Sequence, residues 1–198
     1  MSITQQAYCR DMTWAGVTNF PTLSGSSELD IYGSLTFSSS MNLTYTGDLY
    51  FKSNVTTASI TTAGRIIRSN IYFDGTGGGW MLQDSLVTYG VGTTLYHNNG
   101  SLNTNGQYLY LNKLISAGNG VRTLDFRSSR ITLTSNSYNT PYQAFYLAGS
   151  NYVVNSGTSN FILTGSPGYF VGNNELFYNL TFTSSTSTGY ILGSPTFN

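Results

Sequence analysis

Short segments in which apolar and polar residues alternate recur along the chain, and this pattern constrains the fold more than any other feature. Each copy reads polar, apolar, variable, apolar, and the variable position is mostly threonine or tyrosine. Such alternation is typical of half-buried strands, so leucine, isoleucine and phenylalanine should face a core while threonine and tyrosine face outward. The copies are residues 34–37, 42–45, 48–51, 70–73, 108–111, 123–126, 130–133, 144–147 and 179–182.

A second regularity links distant parts of the chain. Residues 179–182 repeat the pattern of residues 70–73, 109 positions earlier, and Tyr190 matches Trp80 at an offset of 110. An offset that drifts at Gly/Ser-rich joints indicates stacked structural units with variable loops. We therefore expect residues 28–198 to contain an internal repeat of about 110 residues.

Turn residues separate the strand segments, and no segment shows a sustained helical stripe, so helix should be nearly absent. Two all-β architectures fit this pattern. One is a single-stranded parallel β-solenoid, or β-helix, with coils of about 20–25 residues. The alternative is an antiparallel β-sandwich or jelly roll. Hairpin dipeptides occur at Asp74-Gly75, Asn99-Gly100 and Asn105-Gly106, too few to join all the strands, which favours the solenoid.

The N-terminal part of the chain, residues 1–27, carries no such period. We interpret residues 1–27 as an irregular capping segment and residues 28–198 as the solenoid. The open end of a solenoid exposes apolar core and unpaired backbone, which Trp14 and Phe20 could cover.

Composition excludes several classes of partner. Only 8% of the residues are charged and the formal net charge is zero. A neutral chain has no electrostatic footprint for nucleic acid, so we expect no nucleic-acid partner. No stretch approaches the ~18 apolar residues of a membrane span, and no secretory signal is visible, so we expect no membrane insertion.

Few residues suggest metal or nucleophile chemistry. Cys9 and His97 are the only cysteine and histidine, so no zinc cluster and no intrachain disulfide can form. Cys9 is interpreted as a small apolar residue, and His97 as the end of a strand that enters a turn. The glycine run at residues 75–79 lacks the lysine of a phosphate loop and is interpreted as a flexible corner. We predict no cofactor and no metal.

Carboxylates support the only enzymatic alternative, a polysaccharide-degrading β-helix. Glycosidases need two carboxylates roughly 5–10 Å apart. Glu28 and Asp30 would share one face of a strand, and Asp74 and Asp84 flank the glycine run. Single carboxylates at strand ends are more often turn formers, and we predict no catalytic residues.

Outward aromatic residues are the candidate ligand-binding residues. Tyr50, Tyr72, Tyr110 and Tyr146 occupy the same place in the strand pattern and would form a ladder if their strands stack in register. Together with Trp80 they could bind sugars or a protein partner. The alternative is that stacked tyrosines only stabilise neighbouring coils, at about 0.2–1 kcal/mol per pair.

Several segments resemble repeat modules of giant bacterial and phage-encoded surface proteins. They are residues 77–84, 99–106, 122–126 and 131–134, together with the Asn-Leu-Thr-Phe strands. The resemblance covers most of residues 28–198. It implies a β-solenoid stalk, adhesin or fibre segment, and no catalytic residues transfer from it.

These observations predict a non-enzymatic, structural or adhesive β-solenoid segment of a fibre that is extracellular, on a cell surface or on a virion. Its expected partners are glycans or other copies of itself, as a homo-oligomer or fibre. A carbohydrate-binding module that uses exposed aromatics is the second interpretation, and the polysaccharide-degrading β-helix is the third.

Overall fold

Short strands, separated by corners, stack coil upon coil around one buried core. The structure is a computed structural model that describes residues 1–89, 92–141, 143–183 and 188–198. Every strand pairing in these residues is parallel, and none of them lies in a helix. The prediction of an all-β parallel β-solenoid is confirmed. The β-sandwich or jelly-roll alternative is wrong because it requires antiparallel pairs.

The strands are short because each coil must turn three corners. In chain order they are β1 (Ser2–Ile3), β2 (Ala7–Cys9), β3 (Met12–Thr13), β4 (Thr22–Gly25), β5 (Leu29–Ile31), β6 (Leu35–Thr36), β7 (Asn42–Leu43), β8 (Leu49–Phe51), β9 (Ala58–Thr61), β10 (Ile71–Leu82), β11 (Leu86–Val87), β12 (Thr94–Asn103), β13 (Tyr108–Leu111), β14 (Lys113–Ser116), β15 (Arg122–Asp125), β16 (Arg130–Leu133), β17 (Phe145–Leu147), β18 (Tyr152–Asn155), β19 (Asn160–Leu163), β20 (Gly168–Val171), β21 (Leu176–Phe177), β22 (Asn179–Phe182), β23 (Gly189–Leu192) and β24 (Thr196–Phe197).

The strands form three faces that run along the solenoid axis. Face 1 is the ladder β2-β5-β8-β10-β12-β14-β17-β20-β23. Face 2 is β3-β6-β9, the second halves of β10 and β12, then β15 and β18. Face 3 is β1-β4-β7 and, later in the chain, β11-β13-β16-β19-β22. Because β10 and β12 bend around a corner, they belong to faces 1 and 2 at once, while β21 pairs only with β24.

The core consists of apolar columns parallel to the axis. On face 1 the inward column is Leu29, Leu49, Ile71, Leu95, Leu114, Phe145 and Phe170, and each of these residues is buried. Neighbouring strands lie about 4.8 Å apart, so identical positions in successive coils are in van der Waals contact. The predicted inward orientation of leucine, isoleucine and phenylalanine is therefore confirmed for this column.

Coil length varies because the corners differ in size. On face 1 the register pairs Leu29 with Leu49 in one coil and Leu114 with Phe145 in a later one, and the later coil is clearly the longer of the two. The strands of the later coil, β14 to β16, are longer than β5 to β7, and the rest of the added length lies at corners. The longest corner connects β16 on face 3 to β17 on face 1.

The sequence offset that links residues 70–73 to residues 179–182 relates strands on different faces. Ile71 lies on face 1 but its counterpart Leu180 lies on face 3, and Trp80 lies on face 2 but Tyr190 lies on face 1. The repeat nature of the chain is confirmed, yet the structural unit is one coil rather than the much longer repeat expected from the sequence. The two sequence copies therefore lie on different faces. They look alike because strands on all three faces have the same alternation of apolar and polar residues.

Residues 1–27 belong to the solenoid. They contain β1 to β4, and β2 pairs in parallel with β5 while β3 pairs with β6. The prediction of an irregular segment is wrong. The strand pattern is hidden there because β2 packs Ala7 and Cys9, rather than larger apolar residues, against the core. Trp14 packs against the core, as a cover would, but Phe20 is 63% exposed and covers nothing.

The glycine run at residues 75–79 turns the corner between faces 1 and 2. Gly75 and Gly78 are buried, and a Cβ atom at either would collide with the backbone carbonyl oxygen of Ser53. Gly77 has a φ of +74° and open space where a Cβ would lie. The corner is therefore closely packed, and its interpretation as a flexible corner does not account for these contacts.

Substituting Gly78 with alanine should lower the free energy of unfolding by about 2 kcal/mol, because the backbone of Ser53 must move to admit the methyl group. The matched control is Gly77→Asn, since asparagine tolerates a left-handed φ and its side chain enters open space; it should cost below about 1 kcal/mol. Urea denaturation measures both. Equal losses in the two variants would contradict this account of the corner.

Candidate functional site

Three tyrosines on the outer side of face 1 form a stacked ladder. Tyr50 pairs with Tyr72 and Tyr72 with Tyr96 in the strand register. Their ring centroids are 4.2 and 4.7 Å apart, with planes within 9° of parallel. The predicted ladder is confirmed for Tyr50 and Tyr72. Tyr96 was missed because the inward residue that follows it, His97, is polar and breaks the strand pattern.

Burial between neighbouring rings, and then the charge of Asp48, raises the pKa of Tyr72 above its ordinary value. Burial also raises the pKa of Tyr50. Both phenols therefore stay protonated at neutral pH. The ladder presents ring edges and hydroxyl groups to solvent, because the ring faces are covered by neighbouring rings.

The other predicted ligand-binding residues lie elsewhere. Tyr146 is in the same outward column as Tyr96, but Ile115 separates them. Tyr110 is on face 3. Trp80 points inward and is 1% exposed, with its ring 5.2 Å from that of Phe73.

The expectation that these residues share one outward surface is therefore wrong for Tyr110 and Trp80. The strand pattern is the same on every face, so it cannot assign Tyr110 to a face. Trp80 follows a register shift between Asp74 and Gly79 that places its ring in the core.

An ion-pair cluster closes the N-terminal end of the ladder. Lys52 Nζ lies 2.8 Å from Asp30 Oδ2, 3.4 Å from Glu28 Oε1 and 4.6 Å from the ring centroid of Tyr50. Burial alone would lower the pKa of Lys52, but the hydrogen bond and charge of Asp30 outweigh it and raise that pKa. Glu28 and Asp30 do share one face, as predicted, and both bind this lysine.

The other carboxylates of the enzymatic alternative hold corners in place. Asp84 accepts hydrogen bonds from the backbone N–H groups of Thr62 and Ala63. Asp74 accepts one from the side chain of Asn99 at 2.9 Å. Asp74 and Asp84 are therefore turn formers here, and they contact different coils.

A depression that we call the long groove lies along the outer side of face 3. Its volume is about 720 Å³. Four successive coils contribute to it, and its lining consists of hydroxyl, phenol, amide and backbone groups. The described residues that line it are Thr88, Tyr89, Tyr110, Asn112, Thr134, Asn136, Gly165 and Ser166.

A second depression of about 430 Å³, the arginine groove, lies on earlier coils of the same face. It is lined by Arg65 and Arg68 together with asparagine, threonine and apolar residues. The Arg68 guanidinium lies 5.1 Å from the ring centroid of Tyr89, so this pair separates the two grooves. No sequence motif marked either groove, because their residues are far apart in the chain and meet only when the coils stack.

A buried polar cluster fills the corner between faces 1 and 2. His97 Nε2 lies 3.0 Å from the carbonyl oxygen of Gly100, which can only accept, so Nε2 carries the proton. His97 Nδ1 then accepts from the Ser116 hydroxyl at 3.2 Å, and Ser116 accepts from Arg122 at 2.9 Å. His97, Ser116 and Arg122 are each at most 1% exposed, so the Ser–His pair is closed to a substrate.

Burial, and to a smaller extent the charge of Arg122, lowers the pKa of His97 to about 4. The unfolded chain, whose histidine has its ordinary pKa of 6.5, therefore binds a proton at a pH where the folded chain does not. Between these values stability rises with pH. The stabilisation is complete above pH 6.5 and is lost as the pH falls towards 4.

Lowering the pH from 7 to 4 should therefore cost about 3 kcal/mol of unfolding free energy through His97 alone. The measurement is chemical denaturation across this range for the natural chain and for His97→Gln, which cannot titrate there. The variant should show a smaller decrease by about that amount. Parallel pH profiles for the two chains would contradict this prediction, because they would show that the pKa of His97 is the same in the folded and unfolded states.

Clusters that could hold a metal ion and helices that could span a membrane are absent from the part of the chain that the structure describes. It has no group of three or more histidine, cysteine, aspartate or glutamate side chains that could hold a metal ion. It contains no helix long and apolar enough to cross a membrane. Cys9 is half-buried, and burial followed by the charge of Asp11 raises the pKa of its thiol, which disfavours the reactive thiolate.

Comparison of the chain with protein-family models, with curated proteins and with solved structures finds no match. The fold, the grooves and the tyrosine ladder are therefore the basis for assigning a function.

Proposed function

We propose that this chain is a structural and adhesive β-solenoid segment of an extracellular or virion-associated fibre, and that it is not an enzyme. The observation that carries the proposal is the face 1 ladder, in which nine described strands follow one another in parallel. Backbone hydrogen bonds run along the axis and the inward columns are buried beside them. Such a rod resists bending and presents side chains on its outer faces.

The resemblance to repeat modules of giant bacterial and phage-encoded surface proteins supports the same function. Those modules act as stalks or fibres, which need length and stiffness rather than a catalytic pocket. Self-association into a homo-oligomer or longer fibre remains a prediction.

Immunogold electron microscopy tests the fibre proposal. Antibodies raised against the purified chain should label extended appendages on cells, or on virions, of the organism that encodes it. Label confined to the cell interior would contradict the proposal.

A carbohydrate-binding module is the second candidate, and one observation favours it. Tyr89 and Tyr110 are 61% and 36% exposed in a groove whose described lining carries no charged side chain. Exposed aromatic rings beside neutral polar groups suit sugars. A glycan array probed with the purified chain tests this function, and an absence of binding to any glycan would leave the rod as a stalk only.

A further inference from the structure

We propose that the long groove binds a neutral oligosaccharide that lies parallel to the solenoid axis. This inference names the ligand class for the adhesive part of the proposed function and rests on that part alone. It does not depend on whether the rod belongs to a fibre.

The shape of the groove selects an elongated ligand. Four coils line it, from Tyr89 through Asn112 and Thr134 to Ser166. With a coil spacing of about 4.8 Å, the groove extends roughly 14 Å along the axis. Its volume of about 720 Å³ lies within the range of small-molecule sites. An extended chain of sugars fits this shape, whereas a compact metabolite would leave most of it empty.

The lining selects a neutral, hydroxylated ligand. None of the described lining residues is Lys, Arg, Asp or Glu. The described lining offers no counter-charge to a phosphorylated or strongly acidic ligand and no carboxylate to a basic peptide. The Arg68 guanidinium, 5.1 Å from the ring centroid of Tyr89, lies at the end of this neutral stretch. Hydroxyl and amide groups can both donate to and accept from sugar hydroxyls, and tyrosine rings offer flat apolar surface to the C–H face of a sugar ring.

Part of the lining is held in position before a ligand arrives. Asn112 Oδ1 accepts a hydrogen bond from the backbone N–H of Gly92 at 3.2 Å, and Asn112 Nδ2 donates to Thr134 Oγ1 at 3.1 Å. These bonds fix the amide while leaving the second Nδ2 hydrogen and the Thr134 hydroxyl hydrogen free to donate. A fixed donor pair lowers the ordering cost of binding.

Other polar groups of the groove have unused capacity. The side chains of Asn136 and Ser166 and the hydroxyl groups of Tyr89 and Tyr110 make no hydrogen bond to another described residue. They lie along the groove where a ligand would pass.

The tyrosines of the groove differ from those of the ladder in the surface they offer. In the ladder, Tyr72 is covered on both ring faces, by Tyr50 and Tyr96. Tyr110 contacts one other described ring, Tyr108, in a tilted arrangement with centroids 6.4 Å apart. No described aromatic ring is stacked in parallel on Tyr110, so a sugar would not have to displace one to reach this ring, as it would at Tyr72.

Isothermal titration calorimetry with linear neutral oligosaccharides of increasing length tests the proposal. Affinity should rise with length until the ligand spans the groove and should then stay constant. Tyr110→Ala should weaken binding by about tenfold or more, and Asn136→Ala by about fivefold. The control is Tyr8→Ala, an exposed tyrosine on β2 of face 1 and away from the groove, which should change affinity by less than about twofold. Circular dichroism verifies that each variant is folded.

Three results would overturn the proposal. One is an absence of binding to every neutral oligosaccharide. Another is unchanged affinity in folded Tyr110→Ala and Asn136→Ala. The third is loss of binding in Tyr72→Ala only, which would move the ligand to the ladder. Immunogold labelling of appendages does not depend on these results, so failure of the groove and failure of the fibre proposal are distinguishable.

Discussion

Replacing Phe145 with alanine should lower the free energy of unfolding by about 3–5 kcal/mol. Phe145 is fully buried, and its ring stacks on Phe170 at 4.6 Å and meets Phe161 edge-on at 5.1 Å. Its ring also meets Phe126 and Phe177 edge-on, so the cavity would open between neighbouring coils. Stacked coils cannot collapse sideways into such a cavity without breaking the backbone ladders on both sides.

The control for this prediction is the next residue along the chain. Tyr146 points outward and is half-buried, so Tyr146→Ala should cost about 1 kcal/mol or less. Thermal and urea denaturation of the two variants measure the difference. A loss in Tyr146→Ala as large as that in Phe145→Ala would contradict the inward and outward assignment on face 1.

Replacing Arg122 with alanine should cost about 4 kcal/mol. Its guanidinium donates to the carbonyl oxygens of Gly118, Ala148 and Ser150 at 2.9 to 3.1 Å, and its Nε donates to Gly120. These oxygens belong to corners of two adjacent coils. Alanine would remove the donor that joins the corners, and the loss exceeds the desolvation cost that disappears with the buried charge.

Arg127→Ala is the matched control for Arg122→Ala, and urea denaturation measures both. Arg127 pairs with Asp125 at 2.9 Å, but its side chain is 57% exposed, and exposed ion pairs contribute about 1 kcal/mol or less. Arg122→Lys adds a second comparison, because lysine keeps the charge but cannot reach both corners. It should lose most of the stability that Arg122→Ala loses. Full stability in Arg122→Lys would show that charge alone, rather than the bridging geometry, stabilises this corner.

The strand pattern predicted the alternation correctly where the segments were long enough to show it. Leu49 and Phe51 are buried while Tyr50 lies between them on the outer surface. The pattern failed at β2 because Ala7 and Cys9, rather than leucine, isoleucine or phenylalanine, pack against the core there. It also failed at Trp80, because the glycine corner before it changes the register.

The candidate site was less predictable than the fold. Tyr50 and Tyr72 were placed correctly in one ladder, but Tyr110 belongs to a groove that no motif marked. The burial of Arg122 could not be predicted from the sequence either, since an isolated arginine in a strand pattern predicts an exposed side chain. It is buried because carbonyl oxygens from two coils converge on it.

The sequence by itself determined the alternation of inward and outward side chains along regular strands such as β8, because alternation along a strand is a local steric property. The sequence also predicted where corners occur, because glycine and asparagine adopt the positive φ angles that tight corners require. Only the tertiary structure decided which residues become neighbours across coils. That choice depends on the summed lengths of strands and corners around each coil, which differ between the short coil from Leu95 to Leu114 and the long coil from Leu114 to Phe145. The long groove, the tyrosine ladder and the buried arginine all arise from this stacking.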